Sequence, residues 1–381
     1  MNKVANVLVD TLKPGIRFPL STGRGFLPEG SLHIKYARIG DPKLPAVLLC
    51  PSMSNSCFAI DSGDEKGWWN GVVGHGPQFG IDLDKFHVIC GAPMGSPFGS
   101  TSPLTNKADG TKWRCEFPQI TPQDMAHHQK ILLDELGIDK VFAVVGGSMG
   151  GMQSIQFAAL YPEMYDRFVS VASTAHTSPG TVALRSVQRN AVRCDPDFNG
   201  GNYEVNPTMG MGIARMFGTI CYRSPTEFDQ RFDWYPSMAE VSGDVSFEVE
   251  RYLQHQARKF TKGTNYDANC YLLLSQAMDM MDIGQGVGTF EDGCARIPTS
   301  KEALLLSYST DKLTPAHDLE RLASVLGSNG LPVHFEILDS RYGHDAFLIE
   351  GQSQPLCIRL NAFLGDGVHG VRQLVKDIFY H

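Results

Sequence analysis

No stretch of the 381 residues approaches the roughly 18 consecutive apolar side chains that a membrane-spanning helix needs. Basic runs are missing as well. Lys and Arg number 33 against 41 Asp and Glu, a formal charge of −8, which argues against a nucleic-acid or anionic-membrane surface. The nine cysteines (Cys50, Cys57, Cys90, Cys115, Cys194, Cys221, Cys270, Cys294, Cys357) form no CxxC pair. An odd count without metal-like spacing reads as reduced, mostly buried thiols in a reducing compartment, and no metal site is expected. Met1 to Phe18 contain Asp10 and Lys13 and make a poor signal peptide, so the cytoplasm is the expected location. Repeats, low-complexity tracts and glycine-rich phosphate loops are absent too.

What is present describes a folded chain. Hydrophobic residues make up 42% and charged residues 19%, which excludes a disordered chain or a coiled coil. A chain of this length buries enough surface to dispense with disulfides. Short apolar runs alternate with helical patterns through the first half. Ala46–Cys50, Phe86–Cys90, Val141–Val145 and Phe168–Ala172 read as buried strands. Thr121, Pro122 and Asp124 open a helix that stops at Gly137. From about Thr174 to Ile297 the chain is rich in Met, Arg and aromatics at helical spacing, with no convincing strand. Alternation resumes with Ala303–Tyr308, a helix near Ala316–Leu326 and Val333–Leu338. The pattern is α/β: a mostly parallel sheet flanked by helices. Residues 1–175 and 297–381 form its core, and 176–296 form an inserted helical lid.

The sharpest chemical signal is Gly146-Gly147-Ser148-Met149-Gly150, a G-x-S-x-G between an apolar strand and a helix. Such a turn presents the serine hydroxyl at the carboxyl end of the strand, and the glycines are needed where side chains would clash. A lone G-x-S-x-G is also compatible with a glycine turn holding an incidental serine. A serine hydroxyl needs a base, and the base needs an orienting acid, in the chain order Ser, Asp or Glu, His. His344 follows the last strand. Asp311 follows the strand ending at Tyr308, although it could instead serve a helix N-terminus, and Asp339 is a rival acid. The oxyanion donors should be the backbone N–H of Met149 and one near Met53 or Ser54, after the first apolar run. His127 and His128 read as a solvated or half-buried helix face.

With these residues in place the chain resembles the homoserine O-acetyltransferases, which share the α/β-hydrolase fold. The resemblance rests on Gly67-Trp68-Trp69-Asn70-Gly71, Gly99-Ser100-Thr101, Gly146 to Gln153, Asp195-Pro196-Asp197 with Gly200-Gly201-Asn202-Tyr203, and Gly343-His344-Asp345-Ala346-Phe347-Leu348. It implies Ser148, Asp311 and His344 as a catalytic triad. It also implies that Arg189, Tyr222 and Asp345 grip an amino-acid substrate, the arginine suiting a carboxylate and the aspartate an ammonium.

Pro51-Ser52-Met53-Ser54-Asn55, Leu313-Thr314-Pro315 and Ile155-Gln156-Phe157 depart from that family's usual sequences around the acyl site. They favour admission of water to the acyl-serine. The sequence is therefore read as a cofactor-free esterase acting on short acyl esters. The alternative is transfer from acetyl-CoA, as co-substrate, to homoserine. A non-catalytic binding module is the reading from another class. After the core closes near Leu356–Leu364, Val371, Leu374, Val375, Ile378 and Phe379 form one apolar stripe on a terminal helix. That stripe either docks on its own domain or supports a homodimer.

Overall fold

The apolar runs pair edge to edge in one sheet. The computed structural model describes residues 5–23, 25–238, 245–263 and 266–380. Its eight-stranded sheet contains β1 (Val7–Leu12), β2 (Ile34–Ile39), β3 (Ala46–Cys50), β4 (His87–Gly91), β5 (Val141–Gly147), β6 (Tyr165–Val171), β7 (Glu302–Tyr308) and β8 (Val333–Leu338). The spatial order is β1-β2-β4-β3-β5-β6-β7-β8. The β1–β2 and β2–β4 pairs are antiparallel, and every other pair is parallel.

Both faces of the sheet are covered, which is why its central strands read as continuous apolar runs rather than alternations. Leu48 and Val144 face one hydrophobic cluster, with Leu132, Ile155 and Leu319. Their neighbours Val47, Leu49, Ala143 and Val145 face the other, with Leu356, Leu360 and Phe363. Helix α1 (Pro122–Glu135) begins as its sequence dictates. Thr121 accepts from the N–H groups of Gln123 and Asp124, and Asp124 returns a bond to the Thr121 N–H, closing a capping box. Helix α2 (Met149–Leu160) follows β5 directly.

Between β6 and β7 come α3 (Pro179–Arg193), α4 (Thr208–Tyr222), α5 (Pro225–Arg231), α6 (Glu248–Arg258), α7 (Ala268–Asp279) and α8 (Phe290–Ala295). One correction applies to this strand-free reading: Ser237–Met238 pairs antiparallel with Val245–Ser246. Two residues are too few to show a period of two in sequence. Helices α9 (Ala316–Ser328) and α10 (Gln354–Tyr380) complete the core, with α10 interrupted at Asp366 and Gly367. Beyond the break, Val371 is buried and Val375 packs against the chain's own core, while Leu374 is half-buried. The side chains of Ile378 and Phe379 lie outside the described residues. No described helix is long and apolar enough to cross a membrane. All nine cysteines are free, Cys115 and Cys194 exposed and the others buried.

Candidate active site

Ser148 stands at the junction of β5 and α2 with φ 55° and ψ −123°, a left-handed backbone that a non-glycine residue holds only when its surroundings impose it. The surroundings do so here. Its N–H donates to the Val171 carbonyl (2.9 Å) at the end of β6, and its own carbonyl accepts from Ser173 Oγ (2.8 Å). Glycines on either side are required by space: a Cβ at Gly146 would stand 2.1 Å from the Gly150 carbonyl oxygen, and one at Gly150 only 1.9 Å from that of Cys50.

The carboxyl ends of β7 and β8 deliver Asp311 and His344 to the same edge of the sheet. His344 Nε2 lies 2.8 Å from Ser148 Oγ, and His344 Nδ1 lies 2.8 Å from Asp311 Oδ2. The N–H groups of Leu313 (2.8 Å) and Thr314 (2.9 Å) donate to Asp311 Oδ1, and the Thr314 hydroxyl donates to Oδ2 (2.7 Å). These partners decide the charge. Burial alone would raise the Asp311 pKa, but the His344 charge and the donated bonds hold it below the ordinary carboxylate range. Burial likewise disfavours charged His344, yet Asp311, aided by Asp345, outweighs it and holds the imidazole above its usual value. The rival acid Asp339 accepts instead from Ser309 Oγ (2.8 Å).

His344 is steadied from behind by the Gly67–Gly71 motif. Trp69 Nε1 donates to the Phe347 carbonyl (2.8 Å), and the Phe347 ring meets His344 edge-on at 5.9 Å. That ring also occupies the space a Cβ at Gly147 would need.

Ser148 and His344 open into a cavity walled on one side by α3, α4 and α7, the helices inserted between β6 and β7. Met53 and Ser54 line it from the loop after β3, and Met149 N–H, in the first turn of α2, has no acceptor within its own helix. Tyr222 and Asp345 also line it. The Tyr222 ring lies 6.3 Å from the His344 ring, and Asp345 Oδ2 lies 3.1 Å from Arg223 Nε. Arg189 is not among the lining residues. It turns onto Asp279 Oδ2 (2.6 Å) and Ser275 Oγ (2.9 Å) behind the wall.

Two arginines that sequence reasoning missed do line the cavity. Arg185, one helical turn before Arg189, is 3% exposed and paired with Asp279 Oδ1 at 3.0 Å. Arg215 lies near the Tyr222 and Phe260 rings, and its Nε is buried without an acceptor. The Tyr271 hydroxyl donates to the amide oxygen of Gln188, whose Nε2 is likewise buried without an acceptor. Farther away, His128 is fully buried rather than half-solvated. Desolvation pushes its pKa down to about 4.

Comparison with known proteins finds relatives over most of the chain. Residues 45–350 match the alpha/beta hydrolase fold family. The homoserine O-acetyltransferase of Deferribacter desulfuricans is 34% identical over 351 residues, spanning 90% of this chain and 92% of that one. The serine O-succinyltransferase of Litchfieldella anticariensis is 40% identical over 319 residues, spanning 81% and 85%. Among solved structures, esterase E22 superposes with a TM-score of 0.83 at 25% identity, covering 94% of this chain and 100% of that one.

Proposed function

The chain is an enzyme of the α/β-hydrolase superfamily and belongs to its homoserine O-acetyltransferase family, and from that premise we propose that it transfers an acyl group from a coenzyme A thioester to the hydroxyl of a homoserine-type amino acid. The observation that carries this reading is the lid side of the cavity, where Arg185 and Arg215 line the same space as Ser148. Guanidinium groups suit an acceptor that bears a carboxylate. Water, the acceptor of an ester hydrolase, requires none. The acyltransferase names of the relatives support the same class.

In this reading His344 Nε2 takes the Ser148 proton as Oγ attacks the thioester carbonyl, and Asp311 stabilises the resulting imidazolium. Met149 N–H and the turn at Met53 receive the oxyanion. Collapse breaks the C–S bond, and the departing thiolate takes the proton from His344. The acceptor hydroxyl then gives its proton to His344 and attacks the acyl-serine, and Ser148 leaves with that proton. Arg215 and Arg185 hold the acceptor's carboxylate and Asp345 its ammonium.

Ester hydrolysis is the second reading. The departures at Pro51–Asn55, Leu313–Pro315 and Ile155–Phe157 favour it, as does the likeness to esterase E22. Steady-state assays separate the two. Acetyl-CoA and succinyl-CoA are each offered with homoserine or serine while free CoA is followed. CoA release that depends on the amino acid and yields its O-acyl ester is expected. Equal release without it, alongside brisk p-nitrophenyl acetate hydrolysis, would restore the esterase.

A further inference from the structure

Tyr266 belongs to the lid, yet its hydroxyl reaches the loop after β3 and donates to the Met53 carbonyl at 2.7 Å. Met53 and Ser54 are the central residues of a turn closed by the Asn55 N–H on the Ser52 carbonyl (3.1 Å). The Ser52 hydroxyl also meets the Asn55 side chain. Neither the Met53 nor the Ser54 N–H finds an acceptor among the described residues. The peptide joining Met53 to Ser54 is planar and trans, so its C=O and N–H point opposite ways. A bond that fixes the carbonyl therefore fixes the direction of the Ser54 N–H, and it also polarises that group as a donor.

The hydroxyl itself is held firmly. The Tyr266 ring is buried, stacked on Phe260 (5.4 Å, 21°) and met edge-on by Phe98 (5.8 Å) and Tyr271 (6.3 Å). Asn206 brackets its backbone. Its Nδ2 donates to the Tyr266 carbonyl (2.8 Å), and its Oδ1 accepts from the Ala268 N–H (3.0 Å). Tyr266 and Ser148 line one cavity.

We propose that Tyr266 is a positioning residue that sets the oxyanion donor by holding the Met53–Ser54 peptide from the lid, so that placement of the lid and stabilisation of the oxyanion are coupled. The inference rests on Ser148 as the acylated nucleophile, which both the transferase and the esterase readings share. It does not rest on the choice of acceptor.

The test is Tyr266→Phe, which keeps the stacked ring and removes the hydroxyl. Deleting an oxyanion donor outright costs about 10²–10³ in kcat, so a misdirected donor should cost roughly tenfold. That loss should appear in kcat for acylation, whether acyl-CoA or a p-nitrophenyl ester is used, with KM little changed. The discriminating readout is a pair of ligands. A trifluoromethyl ketone forms a hemiketal with Ser148: Oγ bonds to the carbonyl carbon, the proton passes to His344 Nε2, and the carbonyl oxygen becomes the oxyanion. Its affinity should fall by the same factor as kcat, while a non-reactive thioether analogue of the acyl-CoA binds as before. Unchanged ketone affinity, or equal weakening of both ligands with a lowered melting temperature, would overturn the proposal. If Ser148→Ala still formed the ketone adduct, the nucleophile assignment itself would fail, a separable outcome.

Discussion

Arg223 Nε lies 3.1 Å from Asp345 Oδ2, so the carboxylate next in sequence to His344 is held at the cavity wall by a half-buried guanidinium. Asp345 adds to the field that favours a charged imidazole. Burial acts against that charge, but Asp311 and its hydrogen bond prevail. His344 must be neutral to accept the Ser148 proton. Activity should therefore rise with pH, the acid limb of kcat/KM centred above the ordinary imidazole value. Asp345→Asn removes a negative neighbour and should move that limb to lower pH. A limb that stays in place would show that Asp345 does not act on His344.

Ser148→Ala should lower turnover of any acyl ester or thioester by at least about 10³-fold, because removing a triad nucleophile leaves only binding and oxyanion stabilisation. Its far-ultraviolet circular dichroism and melting temperature should match wild type. Retention of a tenth of the activity in the purified variant would remove Ser148 from the nucleophile's role.

Arg215→Met keeps much of the side chain's length and removes the guanidinium whose Nε is buried without an acceptor. A hydrogen bond to a charged group contributes about 1.5–3 kcal/mol, so KM for the amino acid should rise roughly 10- to 100-fold. Hydrolysis of p-nitrophenyl acetate, which lacks a carboxylate, should change little. Equal losses in both assays would assign Arg215 to lid structure rather than to acceptor binding.

Gly150→Ala would place a Cβ 1.9 Å from the Cys50 carbonyl oxygen, a contact with backbone that no side-chain rotation relieves. Overpacking of this kind costs about 3 kcal/mol. A denaturant-unfolding midpoint well below wild type, with β3 and the nucleophile turn forced apart, is the expected result.

How much of this was legible in sequence varies with how local each constraint is. Ser148 is readable because the glycines that shape its turn lie within two residues of it, and the strand and helix that flank it have their own patterns. Asp311 and His344 follow from the same logic at two further strand ends. The antiparallel strands β1 and β2 were not read. Most of β1 is exposed at the sheet edge, and β2 mixes Lys35 and Arg38 into its apolar positions. The choice among lid arginines was not readable either. Arg185 and Arg189 share one helix face at a spacing of four, and only the packing of α3 against Asp279 decides which one reaches the cavity. The Tyr266–Met53 bond spans 213 residues, a separation over which no local pattern carries information. His128 is buried because Leu132 and Leu133 turn the same flank of α1 inward.

The central claim, that an amino acid rather than water discharges the acyl-serine, is tested most directly by following the adduct itself. Enzyme is acylated with acyl-CoA and freed of excess donor, and the acyl-Ser148 species is then followed by intact-protein mass spectrometry with and without homoserine. The account predicts an adduct that persists in buffer and is discharged at least about tenfold faster by homoserine, with the acyl group recovered as the O-acyl amino acid. Decay to the free carboxylic acid at one rate, whether or not the amino acid is present, would contradict it.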